Sequence, residues 1–113
     1  MNKPVRLILI NQAKEEYIKL NSIIGKQIKD GKTNSFEMQL LKSIKQKIEL
    51  IKLNPFYGDN IKKNLIPKEY NVNNLWRTEL SQFWRMLYTI KGDRIEIICF
   101  NLEVRFQSII FQL

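Results

Sequence analysis

Hydrophobic positions along this chain follow two different periods. Between Ala13 and Ile51 apolar side chains recur every three or four positions, whereas residues 75–100 alternate or form short apolar runs. A period of three or four marks one face of a helix, and a period of two is typical of a strand. Helices and strands are therefore predicted in separate parts of the chain, which is characteristic of an α+β fold.

The first half opens with a short strand and a helix. Val5–Ile10 is an apolar run of strand length, rich in branched side chains. A helix is predicted from Ala13 to about Lys29, with Asn11 as its cap. Gly31 follows and is expected to end the helix in a left-handed conformation.

A second helix is predicted from about Asn34 to Leu53. Glu37 lies three positions after Asn34, in the pattern of a capping box, and Pro55 prevents the helix from continuing. Because only a short turn separates the two helices, we expect them to form an antiparallel hairpin.

Three strands are predicted in the second half, at Leu75–Leu80, Trp84–Ile90 and Arg94–Phe100. Polar turns join them at Ser81-Gln82 and Lys91-Gly92-Asp93. Strands joined this closely form an antiparallel meander. We expect the helical hairpin to cover one face of this sheet, with both tryptophans in the core, and the other face to be free.

At 113 residues the chain has the length of one domain. Residues 1–113 are thus expected to form a single α+β domain with one sheet: strand, helical hairpin, loop, three-stranded meander. Residues 55–73 form a long irregular connection, which often marks a functional loop. Residues 103–113 are predicted either to extend the last strand or to form a short closing helix.

Composition excludes several classes of site. The chain has no histidine and one cysteine, Cys99, so a Ser-His-Asp triad, a Cys-His dyad and a structural zinc site are ruled out. Any catalysis must use Lys, Arg, Tyr, Glu or Asp. No apolar run is long enough to span a membrane or to form the core of a signal peptide. The expectation is a cytoplasmic protein with no membrane contact.

Two arginines stand in the middle of predicted strands. Arg77 and Arg85 each follow a tryptophan, in a chain with net charge +8. Burying an unpaired guanidinium is costly, so these side chains must face solvent or a partner. Their pattern indicates a basic sheet face that meets phosphate, or else a solvated surface on which Glu79 pairs with one of them. An odd number of turn residues would put both arginines on one face, and the sequence leaves this register open.

Residues 74–90, NLWRTELSQFWRMLYTI, resemble the two central strands of the RelE/ParE toxin superfamily of type II toxin–antitoxin systems. In that family a basic residue on one strand precedes a strand of the form Tyr/Trp-Arg-apolar-apolar-Tyr, which matches residues 84–88. Leu53-Asn54-Pro55 and Gly58 resemble the end of the second helix and the loop after it, and the order of elements agrees over residues 5–104. The resemblance therefore implies a RelE-like fold.

The resemblance also implies an activity. RelE-type members are ribosome-dependent mRNA interferases, endoribonucleases that need no metal or cofactor and activate the ribose 2′-hydroxyl to attack the adjacent phosphate. Carried over by position, Arg85 contacts the scissile phosphate, and Arg77 and Arg105 supply further positive charge. Glu79 is a candidate general base. The implied partners are mRNA on the ribosome and a cognate antitoxin protein. Loop lysines that could contact RNA are Lys62, Lys63 and Lys68.

The chain departs from the RelE pattern at two places. Glu79 stands where RelE has a second basic residue, and the C-terminal segment RFQSIIFQL offers Phe111 but no Tyr or His. The competing hypotheses are a ParE-type gyrase inhibitor and a catalytically inactive RNA-binding protein of the same fold.

Overall fold

The computed structural model describes residues 5–102 of the chain. The segment at 103–113, for which a strand extension or a short helix is predicted, lies outside the described residues, as does Arg105. The helices and strands, in chain order, are β1 (Arg6–Leu9), α1 (Asn11–Lys29), α2 (Phe36–Leu53), β2 (Asp59–Asn60), β3 (Trp76–Glu79), β4 (Trp84–Lys91) and β5 (Arg94–Leu102).

The strands form one five-stranded sheet in the order β1-β5-β4-β3-β2. The pairs β2–β3, β3–β4 and β4–β5 are antiparallel, whereas β1 lies parallel to β5. The predicted α+β class, the two helices and the three-stranded meander are confirmed. The two-residue strand β2 and the parallel pair were not predicted, because neither follows from the local pattern of side chains.

Helix α1 begins two residues earlier than predicted. Asn11 is its first residue, with φ 42°, and no side chain caps this end. The prediction of Asn11 as the cap is therefore wrong. At the other end Gly31 has φ 85°, and the backbone N–H groups of Gly31 and Lys32 donate to the carbonyls of Ile28 and Gln27. This paired arrangement confirms the predicted glycine ending.

Helix α2 is capped by Ser35, whose Oγ accepts a hydrogen bond of 3.0 Å from the Met38 N–H. The predicted capping box of Asn34 and Glu37 is wrong. Glu37 instead accepts a hydrogen bond of 2.8 Å from the Gln27 side chain of α1. That hydrogen bond is the main cause that lowers the pKa of the Glu37 carboxyl below its usual 4.5.

The main core lies between the two helices and one face of the sheet. Both tryptophans, Trp76 and Trp84, are partly buried at its margin, on the face where they were predicted. The buried residues of this core are Ala13, Leu40, Ile44, Ile51, Leu80, Met86, Tyr88, Ile95, Ile97 and Phe100.

No helix among residues 5–102 is long and apolar enough to cross a membrane.

The opposite side of the sheet, which carries Arg77, Glu79, Arg85 and Leu87, is called the second face. The prediction that this face is free is wrong for its middle. Residues 61–72, called the covering segment, fold back over it and form a smaller core, because the apolar side chains of both need burial. The residues in contact are Ile61, Ile66, Tyr70 and Val72 from the segment and Leu75, Leu87, Ile98 and Cys99 from the sheet and the residue just before β3.

Candidate functional site

The turn between β3 and β4 sets the register of the candidate site. It contains three residues, Ser81–Phe83, and is closed by a hydrogen bond of 2.7 Å from the Leu80 N–H to the Trp84 carbonyl. Three is an odd number, so Glu79 lies opposite Arg85 and Arg77 lies opposite Leu87. Both arginines and Glu79 therefore project from the second face.

This turn adopts an uncommon backbone conformation. Gln82 and Phe83 both have positive φ, 59° and 67°, which is rare for residues with bulky side chains. Helix α2 holds the turn in place. The Ser81 N–H donates to the Ser43 hydroxyl at 3.1 Å, and the Gln82 amide donates to the Gln39 side chain at 3.0 Å. The register of the arginines thus depends on contacts between the turn and the helix.

Polar side chains of the second face form two rows across the strands. One row contains Glu79, Arg85 and Asn101, and the other places Arg77 between Asp59 and Leu87. The rows lie two positions apart along each strand, which corresponds to about 7 Å. Two guanidinium groups and a carboxylate can therefore reach the same small ligand.

Arg77 retains capacity to bind a ligand. Its Nη2 lies 3.8 Å from Asp59 Oδ2, and the side chains are 37% and 75% exposed. An exposed pair of this kind is worth only about 0–1 kcal/mol. The Nε of Arg77 is buried and has no hydrogen-bond partner among the described residues. The exposed part of the Arg77 side chain, and not the buried Nε, is therefore what an incoming phosphate can reach.

The Glu79 side chain is exposed and forms no hydrogen bond or ion pair with another residue of the range 5–102. It was interpreted either as a general base or as the ion-pair partner of an arginine, and no such pair is formed in the described part of the chain. Arg85, directly opposite, is partly buried at the centre of its row. The carboxylate can therefore accept a proton from a ligand held at Arg85.

Tyr70 reaches the edge of the same row, a position that sequence reasoning missed. Its hydroxyl lies 3.6 Å from Cys99 Sγ. Burial, reinforced by that contact, raises the pKa of Tyr70 to about 12, although a hydrogen bond with Asn101 acts in the opposite direction. The phenol is thus protonated at neutral pH. The available signal was the presence of apolar side chains, Ile66, Tyr70 and Val72, in a polar connection, because such side chains need burial.

Tyr88, the last residue of the strand motif, anchors the loop that carries β2. Its buried hydroxyl donates to the Pro55 carbonyl and accepts from the Gly58 N–H, both at 2.9 Å. A Cβ on Gly58 would lie 2.6 Å from the Arg77 carbonyl oxygen. Only glycine allows this approach, which brings Asp59 next to Arg77. The role of Tyr88 was not foreseen, because its partners are distant in sequence.

The remaining candidates lie outside the two rows. Lys62, Lys63 and Lys68 are exposed on the covering segment. Locally the two arginines are balanced by two carboxylates, Asp59 and Glu79. Residues 11–53 contain nine lysines and five acidic residues, a net charge of +4, which is half the total of +8. The positive charge is therefore not concentrated at these two rows.

Among the described residues no group of three His, Cys, Asp or Glu side chains is placed to hold a metal ion.

A scan against protein-family models and a search of curated proteins find no match for this chain. The resemblance to the RelE/ParE superfamily therefore depends on residues 74–90 and on the order of the elements.

Proposed function

We propose that this chain is the toxin of a type II toxin–antitoxin system and cuts mRNA on the ribosome as a metal-independent endoribonuclease. The observation that supports this most is the register of β3 and β4. It places Glu79 opposite Arg85 and puts Arg77 in the adjacent row of the same face. Cations next to a carboxylate that has no partner among residues 5–102 suit cleavage by the ribose 2′-hydroxyl, which uses a base and stabilisation of negative charge.

The proposed reaction uses each of the three side chains. Glu79 accepts the proton of the 2′-hydroxyl, and the 2′-oxygen forms a bond to the adjacent phosphorus. Arg85 and Arg77 stabilise the extra negative charge on the phosphoryl oxygens. The bond from phosphorus to the 5′-oxygen then breaks, and that oxygen takes a proton from solvent. The products are a 2′,3′-cyclic phosphate and a 5′-hydroxyl.

Arginine suits the central position. A guanidinium stays charged at any working pH, and its planar fork matches two phosphate oxygens at once. A lysine would supply one point charge without the fork. Arg85 is therefore assigned the contact with the scissile phosphate, and Arg77 a weaker contribution, since Asp59 already offsets part of its charge.

The proposal includes a protein partner. A cognate antitoxin would bind this chain tightly, and the net charge of +8 would steer an acidic partner and make the association sensitive to salt. A pull-down from the native host, repeated at increasing ionic strength, tests this. Recovery of no companion protein at low salt would count against the toxin hypothesis.

A second candidate function is binding without cleavage, either to RNA or to DNA gyrase. The absence of histidine from the chain and of tyrosine from residues 103–113 favours it, because these side chains commonly transfer protons. Induced expression separates the hypotheses. Cleavage predicts growth arrest with new mRNA ends and normal gyrase supercoiling, whereas inhibited supercoiling with intact mRNA would contradict it.

Glu79 offers a test within the proposed reaction. A general base contributes on the order of a hundredfold or more in rate, so Glu79→Gln should slow cleavage by about that factor while RNA binding persists. Asp59→Asn is the matched control, because it removes a neighbouring carboxylate to which the reaction assigns no proton transfer. Equal rates for Glu79→Gln and the unmodified protein would remove Glu79 from the mechanism.

A further inference from the structure

A third row of charged side chains lies at the far end of the second face. Arg94 of β5 lies directly opposite Arg6 of β1 on one side and directly opposite Lys91 of β4 on the other. Residues directly opposite each other on neighbouring strands project from the same face. The row therefore places three cations side by side across three strands.

Like charges placed directly opposite each other destabilise a sheet. One buried carboxylate, Glu96, partly offsets this cost, at 3.2 Å from Lys91 Nζ and 2.8 Å from Arg94 Nη2. Arg6 is exposed and has no ion-pair partner within residues 5–102, and the exposed Asp93 of the adjoining turn has none there either. The row therefore retains positive charge that no described side chain pairs.

This row and the candidate site lie at opposite ends of β4. Lys91 lies six positions after Arg85, which corresponds to about 20 Å of strand. Between the two ends lies the covering segment, which exposes Lys62, Lys63 and Lys68. Positive side chains thus recur along the whole length of the second face.

We propose that Arg6, Lys91 and Arg94 bind the phosphate backbone of the same single-stranded RNA that Arg85 contacts, several nucleotides away from the scissile phosphate. The inference rests on the proposed function, since it needs RNA on the second face. At about 3.4 Å per stacked nucleotide, the two ends are roughly six nucleotides apart. A shorter RNA bound at Arg85 cannot also reach this row.

The test measures the affinity of the full chain for single-stranded RNAs of about four and about twelve nucleotides across a range of salt concentrations. The double variant Arg6→Gln/Lys91→Gln removes two charges and keeps the Arg94–Glu96 ion pair, so that no buried carboxylate is left unpaired. The control Lys42→Gln/Lys45→Gln removes two charges from exposed positions on α2.

We expect the unmodified chain to bind the longer RNA more tightly. For that RNA the Arg6/Lys91 variant should lower the slope of log affinity against log salt by about 1.4 in magnitude, at about 0.7 per phosphate contact. The shorter RNA and the control variant should show no such change. Equal affinity for both lengths, or an equal effect of the control, would overturn the inference.

The outcomes also separate this inference from the proposed function. If Arg85→Ala weakens binding of the short RNA but the Arg6/Lys91 variant leaves binding of the long RNA unchanged, only the inference about the third row fails. If the unmodified chain binds neither RNA, the inference about the third row fails, whereas the proposed function fails only if the chain also does not cleave mRNA on the ribosome.

Discussion

The two faces of the sheet differ in how they are covered. Two helices cover the first face and bury a continuous apolar core, whereas the covering segment protects only the middle of the second face. At both ends of the second face charged side chains remain partly exposed. The first face therefore provides most of the apolar burial that stabilises the fold. The ends of the second face can carry charged side chains because those side chains stay in contact with solvent.

The strongest test of this difference compares two neighbouring isoleucines. A shift in the pairing of β4 and β5 puts Ile97 in the core under the helices and Ile98 under the covering segment. Ile97→Ala should lower the free energy of unfolding by about 2–5 kcal/mol, and Ile98→Ala by an amount at or below the lower end. The measurement is urea denaturation of both variants. Equal losses would mean that the two faces are equally well packed.

A second pair of variants compares the tyrosines of the two faces. Tyr88→Phe leaves the Gly58 N–H and the Pro55 carbonyl without their partner, and we expect a loss of about 1–3 kcal/mol in unfolding free energy. Tyr70→Phe removes a sulfur contact of 3.6 Å and a hydrogen bond with the exposed Asn101, and it should cost less because neither partner is a buried backbone group. Denaturation of both variants at neutral pH decides the order, and a larger loss for Tyr70→Phe would reverse it.

Alkaline pH should act on the covering segment. Burial raises the pKa of Tyr70 from 10.0 to about 12, so the folded state favours the neutral phenol. The corresponding stability is fully present below pH 10 and is lost as pH rises from 10 towards 12. The thermal midpoint of Tyr70→Phe should fall less over this range than that of the unmodified chain. Parallel curves for the two proteins would contradict the assignment.

The smallest effect is expected at the exposed ion pair of the second face. Asp59→Asn removes the partner of Arg77 and should change the unfolding free energy by less than about 1 kcal/mol. Denaturation monitored by circular dichroism is sufficient. A loss comparable to that of Tyr88→Phe would show that the row containing Asp59 and Arg77 contributes substantially to the stability of the sheet.

Much of the fold could be predicted from the sequence because its signals are local. The period of the helices, the glycine ending of α1 and the alternation of β3–β5 each depend on side chains within a few residues. The N-terminal caps were misassigned, since Ser35 competes with Asn34 one position away and Gln27 of the other helix recruits Glu37.

The covering of the second face could not be predicted, because it depends on contacts between residues far apart in the chain. Tyr70 of the covering segment contacts Cys99 of β5, and Tyr88 binds the loop at Pro55. The register of Arg77 and Arg85 depended on whether the turn contains two or three residues, which its side chains do not specify.

The central claim is that Arg85 stabilises the transition state of RNA cleavage. It is tested most directly by the single-turnover rate of mRNA cleavage on the ribosome for Arg85→Ala, with Arg85→Lys as the variant that keeps the charge but loses the fork. The rate of Arg85→Ala should fall by on the order of a hundredfold or more, about 3 kcal/mol, with Arg85→Lys intermediate and circular dichroism unchanged. A folded Arg85→Ala protein that cleaves at the unmodified rate would contradict the proposed function.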